Sequence, residues 1–300
     1  MKDLSNYNFI EFEKCPMCKA DRSALRKIGK RSAERQGFWP KKGFTSDISK
    51  CKNCRLVFAN PLPFPKDIGL HYEVPPDSYW VNVKPRNEEY LKHVYSNYAP
   101  YIKSTPDFKT LDIGSGLGHM LASFKMHGIS AYGVEPSLSF IQKASEIYNI
   151  PLDCFHQSTF EDFVCNDNTY DLITCLAVLE HVPDPNALIE KALRILKPGG
   201  YLFLEIPSSK WLISKILNTY YKLTFSSYVT NLSPMHEPYH LYEFAPESFR
   251  KNAKILNYEI VDIKYYVCNT MFPSVLDKPL KYIMKHTNTG MELFVVIKKV

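Results

Sequence analysis

Short apolar runs alternate with helical stretches through the middle of the chain. Strand-like runs occupy 109–113, 130–134, 152–155, 170–176 and 201–206, and helical patterns fill 117–127, 137–147 and 185–196 between them. Strands joined through helices must run parallel, because a parallel connection needs a long crossover. Continuously apolar strands indicate that both faces of the sheet are covered. The order therefore predicts an α/β fold with a doubly wound, mostly parallel sheet.

The two ends of this pattern refine the prediction. Two further strand-like runs, 258–266 and 291–300, come last and predict a closing antiparallel pair, which makes a seven-stranded sheet. Asp184 can cap the helix that begins at Pro185, and KPGG at 197–200 ends it.

A glycine-rich loop joins the first predicted strand to the first helix. Residues 114–118 read GSGLG, which is GxGxG spacing rather than the GxGxxG of dinucleotide-binding folds. Glu135 ends the second strand, 21 residues after Gly114. A carboxylate at that point can accept hydrogen bonds from both hydroxyls of a ribose. A tight strand-to-helix turn and an unrelated loop acid are the alternatives.

These segments resemble the class I S-adenosylmethionine-dependent methyltransferases. LDIGSGLG, GVEPS, YDLITC, VLEHVPDP and LKPGGYLFLEIP carry the resemblance, which runs from about residue 86 to the end of the chain. It implies a Rossmann-like fold with S-adenosyl-L-methionine as cofactor. The resemblance places the methionyl part near Asp112, Gly114, Ser115, Gly116 and Gly118, the ribose on Glu135 beside Pro136, the adenine near Ser158, Thr159 and Phe160, and the sulfonium beside Leu176, Ala177 and Val178.

Candidate bases lie in two places. The insertion 207–257 follows the fifth strand, where the resembling family builds its substrate lid, and HLYEFAPESF within it resembles a family segment at the mouth of the cofactor site. Transfer of a methyl group to oxygen requires a group that accepts the acceptor's proton, and histidine suits this near neutral pH. We expect His240, then His236, to be this base, with His181 as the third candidate. The alternative is that these histidines only support the structure of the loop and the lid.

Two CxxC pairs stand near the N-terminus. Cys15, Cys18, Cys51 and Cys54 follow the spacing C-x2-C-x32-C-x2-C, and four thiolates form a closed, structural zinc site. Redox cysteines and unpaired reduced thiols are the alternatives. CKNCRLVFANPLPFP also resembles the strap of a zinc ribbon that precedes some methyltransferases of sugar, polysaccharide and antibiotic biosynthesis. Arg55 occupies the usual glycine position of that strap.

The boundaries follow from these motifs. We expect a zinc-ribbon module at 1–60, a proline- and aromatic-rich strap at 61–85 and a methyltransferase domain at 86–300. The first 60 residues hold 14 Lys and Arg against six Asp and Glu, out of 37 and 31 in the chain. This basic module could attract an anionic partner.

Three functions remain open at this point. The first is a methyltransferase acting on a small molecule, with O-methylation of a sugar, nucleotide-sugar or glycan-precursor hydroxyl favoured. The others are an RNA methyltransferase that uses the basic module to bind RNA, and a non-catalytic cofactor-binding interaction subunit. No apolar run approaches the roughly 20 residues of a membrane span, and the N-terminus has no signal-peptide pattern. We therefore expect a cytoplasmic protein.

Overall fold

The structure is a computed structural model that describes residues 4–32, 35–36, 39–40, 45–67, 76, 85–103, 105–234, 240–268, 270 and 272–300. The chain forms two compact units. We call Met1–Lys66, Ala177–Ala187 and Leu204–Val296 the cysteine unit. We call Asp67–Leu176, Leu188–Phe203 and Ile297–Val300 the glycine-loop unit.

Strands come first along the chain, and helices join them from residue 88 onward. The strands are β1 (Tyr7–Ile10), β2 (Leu25–Ser32), β3 (Arg35–Gln36), β4 (Trp39–Pro40), β5 (Thr45–Cys51), β6 (Val57–Ala59), β7 (Leu62–Pro65), β8 (Lys109–Ile113), β9 (Ser130–Val134), β10 (Phe155–His156), β11 (Tyr170–Leu176), β12 (Leu196–Pro207), β13 (Tyr242–Glu243), β14 (Tyr258–Tyr266) and β15 (Glu292–Lys299). The α-helices are α1 (Glu88–Ser96), α2 (His119–Met126), α3 (Leu138–Tyr148), α4 (Pro185–Ile195), α5 (Leu212–Leu223), α6 (Pro246–Leu256) and α7 (Ser274–Thr287).

The large sheet has seven strands in the order β10-β9-β8-β11-β12-β15-β14. β8 pairs in parallel with β9 and β11, and β9 pairs in parallel with β10. The sheet is mostly parallel with antiparallel terminal strands, so the predicted fold class is confirmed. The reversal of strand order beside β8 is the place where doubly wound sheets bind ligands.

Most element bounds agree with the sequence patterns, but β12 begins at Leu196 rather than at 201, and α7 was not predicted. The predicted strand at 152–155 is mostly wrong, because Leu152–Cys154 forms a 3-10 turn and the strand is limited to Phe155–His156. Leu152 is 57% exposed, so the apolar run there is not a buried strand. The predicted cap is confirmed: Asp184 Oδ1 accepts hydrogen bonds from the main-chain N–H groups of Asn186 (2.9 Å) and Ala187 (3.2 Å).

In the cysteine unit a smaller antiparallel sheet has the order β13-β6-β5-β2. Its edge strand β13 comes from a distant part of the sequence and pairs with β6. Ile48, Val57, Ala59, Val229 and Leu232 pack together as an apolar cluster. This cluster buries side chains of β5 and β6 beneath a segment from the insertion.

Helix α6 is fastened to the cysteine turns of the same unit. Ser248 Oγ donates to the carbonyl of Cys54 (3.0 Å), and Asn252 Nδ2 donates to the carbonyl of Met17 (3.0 Å). Both side chains are fully buried, so these bonds satisfy polar groups that would otherwise be costly to bury. Among the described helices, none combines the length and apolar character that crossing a bilayer requires.

Candidate active site and cysteine centre

The glycine loop of the glycine-loop unit has a backbone that only glycine adopts without strain. Gly114, Gly116 and Gly118 have φ angles of 68°, 48° and 72°. The N–H groups of Gly114 and Ser115 donate to the carbonyl of Val134, at 2.8 and 3.2 Å. The loop is therefore held against the end of β9.

Glu135 is a buried carboxylate held by main-chain donors. Its Oε2 accepts from the N–H of Gly116 (2.9 Å) and its Oε1 from the N–H of Ser137 (3.0 Å). Burial raises the pKa of Glu135, and the two N–H donors oppose that rise. Each carboxylate oxygen can accept a second hydrogen bond. Glu135 therefore keeps acceptor capacity for a hydroxyl-bearing ligand.

Asp112 lies one strand away from Glu135 in the same sheet. Its Oδ1 accepts from Thr174 Oγ1 at 2.6 Å. Burial raises the pKa of Asp112 to about 7, with the Thr174 bond opposing the rise and the Glu135 charge adding to it. Asp112, near the end of β8, therefore lies within the electrostatic field of Glu135, which directly follows β9.

The side chain of Ser115, in the glycine loop, is relevant to whether this loop could hold a cofactor. Its Oγ is buried and has no hydrogen-bond partner within the described part of the chain. A buried hydroxyl without a partner is rare and needs an explanation, such as a missing ligand. Together with the glycine backbone and Glu135, it fits the predicted contact with the methionyl part of S-adenosylmethionine.

The predicted adenine contacts differ among themselves. Ser158 lies close to Glu135, since its N–H donates to the Glu135 carbonyl at 3.2 Å. Thr159 Oγ1 donates to Asp162 Oδ2 at 2.9 Å, which is an acidic partner that the sequence reasoning missed. Phe160 is buried, with the Lys191 ammonium 5.1 Å from its ring centre. The structure thus gives Phe160 a packing role within this unit.

The remaining predicted cofactor residues divide between the units. Pro136 is half-buried directly after Glu135, and Leu176 ends β11 in the glycine-loop unit. Ala177 and Val178 belong to the cysteine unit. Ala177 has a φ of 54°, a left-handed conformation that a residue with a side chain seldom adopts. Such strain is concentrated at functional sites.

In the cysteine unit Glu180 lies beside two of the predicted histidines. Its Oε1 is 3.9 Å from His181 Nε2 and 3.8 Å from His240 Nε2. The two imidazole rings are 5.3 Å apart at an angle of 69°. The N–H of Leu241 donates to the Glu180 carbonyl at 2.9 Å, which brings His240 to this carboxylate. His236 lies outside the described residues.

Burial controls the charges of this cluster. Burial, with the charges of Glu292 and Glu205 adding to its effect, raises the pKa of Glu180 to about 8. Burial also lowers the pKa of His240 to about 4, so its imidazole is neutral at pH 7. Glu180 Oε2 is buried without a hydrogen-bond partner in the described structure. The group therefore combines a neutral imidazole, able to accept a proton, with an under-satisfied carboxyl group.

The four predicted cysteine ligands come together. Cys15 Sγ and Cys54 Sγ are 3.5 Å apart, Cys18 Sγ and Cys51 Sγ are 3.6 Å apart, and all four sulfurs lie within 4.8 Å of one another. Four thiolates on a tetrahedral zinc ion at Zn–S of about 2.3 Å have sulfurs about 3.8 Å apart. The spacing of the thiols therefore fits a zinc ion.

The two cysteine turns share one geometry. The N–H of Lys19 donates to the Cys15 carbonyl and that of Arg55 to the Cys51 carbonyl, each at 2.9 Å. Both donors have left-handed backbones, with φ of 55° at Lys19 and 65° at Arg55. Such paired turns present two thiols each to a common centre.

The chain is similar to known methyltransferases in sequence and in fold. A protein-family model described as a methyltransferase domain matches residues 84–263. A ubiquinone biosynthesis O-methyltransferase of Actinobacillus pleuropneumoniae serotype 5b (strain L20) is 31% identical over 166 residues, 52% of this chain and 65% of that protein. One of the same name from Coxiella burnetii (strain Dugway 5J108-111) is 33% identical over 130 residues, 41% of this chain and 52% of that protein.

The chain spans less than two thirds of the length of these curated relatives. Among solved structures, a Listeria monocytogenes protein provisionally assigned as an S-adenosylmethionine-dependent methyltransferase aligns with a TM-score of 0.50 and 12% identity, over 71% of this chain and 100% of that one. This likeness supports the fold. Because this family model covers more than half of the chain, the chain belongs to the methyltransferase-domain family that the model describes.

Proposed function

We propose that the protein transfers the methyl group of S-adenosylmethionine to a hydroxyl oxygen of a small-molecule acceptor, a sugar or nucleotide-linked sugar. The observation that carries this proposal is the cluster of Glu180, His181 and His240 in a chain of this family. A hydroxyl must lose its proton as its oxygen is methylated, and the cluster offers a neutral imidazole for that proton. The Actinobacillus and Coxiella relatives are O-methyltransferases, which supports transfer to oxygen.

For the cofactor we propose the contacts that the sequence predicted. Bound S-adenosylmethionine supplies a methyl group on a sulfonium, which is electrophilic. Ser115 and Gly116 in the loop, with Asp112 beside them, would hold the methionyl part, and Glu135 would accept from the ribose hydroxyls. The proposed set is completed by Gly114, Gly118, Pro136, Ser158, Thr159, Phe160, Leu176, Ala177 and Val178.

For the proton we propose His240 as the acceptor. Its low pKa leaves the imidazole unprotonated at neutral pH, so a lone pair is present before the reaction. Its Nε2 lies 3.8 Å from Glu180 Oε1, so the ionised form of Glu180, which predominates only above its pKa of about 8, would stabilise the imidazolium. His181 faces the same carboxylate and is the second candidate, and His236 stays a prediction.

We also propose that Cys15, Cys18, Cys51 and Cys54 hold one structural zinc ion. A site closed by four thiolates has no open position for a substrate, so its contribution is to folding. We keep 1–60 as the zinc-ribbon module, 61–85 as the strap and 86–300 as the methyltransferase domain with 207–257 as its substrate lid.

The test uses the full-length, zinc-loaded protein. Titration calorimetry should show binding of S-adenosylmethionine, and labelled cofactor should transfer its methyl group to members of a nucleotide-sugar panel. Mass spectrometry of the product should place the methyl group on oxygen. Cofactor binding without transfer to any hydroxyl compound, but with transfer to an RNA, would replace the small-molecule proposal.

A further inference from the structure

Cationic side chains of the cysteine unit gather around one carboxylate. Lys210 Nζ lies 3.0 Å from Glu247 Oε1, and Arg55 Nε lies 3.8 Å from the same oxygen. Lys50 and Lys215 lie within the electrostatic field of these two cations. The pKa of Lys215 is lowered by burial and then by the charges of the three other cations. We call Lys50, Arg55, Lys210 and Lys215 the cation cluster.

The sheet register fixes where Lys50 stands. Lys50 in β5 is paired with Val57 in β6, which is paired with Glu243 in β13. Residues directly opposite each other across antiparallel strands share a face, so Lys50 and Glu243 lie on one side of the sheet. Burial raises the pKa of Glu243 to about 7, and its Oε1 accepts a hydrogen bond from Asn231.

The charges of this region therefore do not balance. Glu243 is only partly ionised near neutral pH, because its pKa is close to 7. Within the described residues, the ion pairs of the cation cluster are both made to Glu247. Two like charges, those of Lys210 and Arg55, share the single carboxylate of Glu247, so they repel one another. An anion in their midst would remove that repulsion.

Arg55 adds an independent observation. Its φ of 65° lies in the left-handed region, where glycine has no side chain to strain the backbone. Its counterpart Lys19 in the other cysteine turn forms an ion pair with Asp184 at 3.6 Å. Arg55 likewise forms an ion pair, with Glu247 at 3.8 Å, and its side chain remains 56% exposed. A large charged residue at a position that favours glycine indicates that the side chain is used.

We propose that the cation cluster binds the phosphate or diphosphate group of the methyl acceptor. This inference rests on the proposed function, and it narrows the acceptor to a phosphate-bearing sugar. Arginine and lysine are the side chains that bind phosphate oxygens through charge-assisted hydrogen bonds. Glu243 follows His240 by three residues, so the segment that carries the proposed base continues into a strand of the same sheet as Lys50.

Titration of the zinc-loaded, full-length protein with inorganic pyrophosphate tests the proposal. Wild type should bind pyrophosphate, and Lys210→Ala and Arg55→Ala should each weaken binding roughly tenfold, as expected when a charged hydrogen bond is lost. Lys210→Arg should retain binding. Glu247→Gln should tighten it, because it removes the carboxylate that competes with the ligand. Lys254→Ala, an exposed lysine of α6, is the matched control and should bind as wild type does.

Equal pyrophosphate affinity in Lys210→Ala and Lys254→Ala would overturn the proposal. Displacement of pyrophosphate by a single-stranded RNA that binds more tightly through the same residues, with a steep salt dependence, would also overturn it in favour of a nucleic-acid acceptor. Pyrophosphate binding requires no cofactor, so cluster-dependent binding in a protein without methyl transfer would contradict the proposed function alone. Methylation of a phosphate-free sugar with unchanged KM in Lys210→Ala would contradict this inference alone.

Discussion

Glu135 and Glu180 are both buried carboxylates, exposed by 7% and 1%, yet they are held in different ways. Glu135 accepts from two main-chain N–H groups, those of Gly116 and Ser137. Glu180 faces two imidazoles at 3.8–3.9 Å, and its Oε2 has no partner among the described residues. Main-chain donors hold an ionised carboxylate ready to accept hydrogen bonds. The neighbours of Glu180 are two imidazoles, and burial lowers the pKa of one of them, His240, to about 4.

The difference suggests a division of labour between the two units. A carboxylate fixed by the backbone of a turn suits the binding of a ligand's hydroxyls, because its charge and direction are constant. A carboxyl group beside imidazoles suits a reaction in which a proton arrives. If the two units differ in this way, substitutions in each should change separate properties of the protein.

The largest expected effect comes from the metal centre of the cysteine unit. Cys51→Ser should abolish the bound zinc, expected at one ion per chain, and lower the free energy of unfolding by several kcal/mol, since structural zinc contributes about 10–16 kcal/mol of binding energy. Cys154→Ser, a buried cysteine of the glycine-loop unit, is the control and should keep the metal. Metal analysis and chemical denaturation measure both. Equal zinc content in the two variants would show that the thiol cluster is not the metal site.

The next effect is on catalysis. His240→Gln should slow single-turnover methyl transfer by about 10²–10⁴-fold, the usual contribution of a general base, while the affinity for S-adenosylmethionine stays unchanged. His181→Gln should have a smaller effect. Rapid-quench transfer and cofactor titration on the same preparations separate the two quantities. Wild-type rates in both variants would show that the base is elsewhere, with His236 the next to change.

The two carboxylates also show how far a sequence can be interpreted. The Glu135 site depends on a strand, a turn and a helix that follow one another, so its spacing is visible in LDIGSGLG and GVEPS. The Asp184 cap could be predicted for the same reason. The contact between Glu180 and His240 depends on a chain segment that returns from far along the sequence. No local pattern encodes that return, nor the pairing of β13 with β6 or the gathering of the cation cluster.

The predicted strand at 152–155 was mostly wrong because an apolar residue in it is not buried. Leu152 and Cys154 continued an apolar pattern, but the chain turns there and Leu152 remains exposed. Helix α7 was not predicted, since Pro279 lies inside it and proline usually ends a helical pattern.

A third prediction concerns pH. The folded pKa of Glu180 is raised to about 8, above its ordinary value of 4.5. A raised carboxyl pKa gives stability that is present below pH 4.5 and is lost as the pH rises through 8, because the unfolded state releases its proton first. Glu180→Gln should therefore unfold less readily than wild type at pH 8–9, by a few kcal/mol at about 1.4 kcal/mol per pKa unit.

Denaturant titrations at several pH values measure this difference, with Glu190→Gln, an exposed residue of α4, as the control. Parallel curves for wild type and Glu180→Gln from pH 5 to 9 would show that Glu180 is ionised in the folded protein. The division of labour between the two units would then be wrong for this residue.

The smallest expected effect is on cofactor affinity in the glycine-loop unit. Glu135→Gln should weaken binding of S-adenosylmethionine by about 1–3 kcal/mol, the value of a hydrogen bond to a charged group. In the wild-type protein each carboxylate oxygen of Glu135 accepts one hydrogen bond, from the N–H of Gly116 or of Ser137. The glutamine amide has only one oxygen, so its NH2 group must point at one of these two N–H donors. The loop would have to shift to relieve that contact.

Glu135→Ala removes both acceptors without that conflict, so comparison of the two variants separates the lost ribose contact from loop distortion. Glu146→Ala, an exposed residue of α3, is the control. Titration calorimetry with S-adenosylmethionine and with adenine tests the origin of the loss, because adenine has no hydroxyls to bind. If Glu135→Ala weakens both ligands equally, Glu135 supports the loop rather than the ribose, and its role would resemble a structural cap.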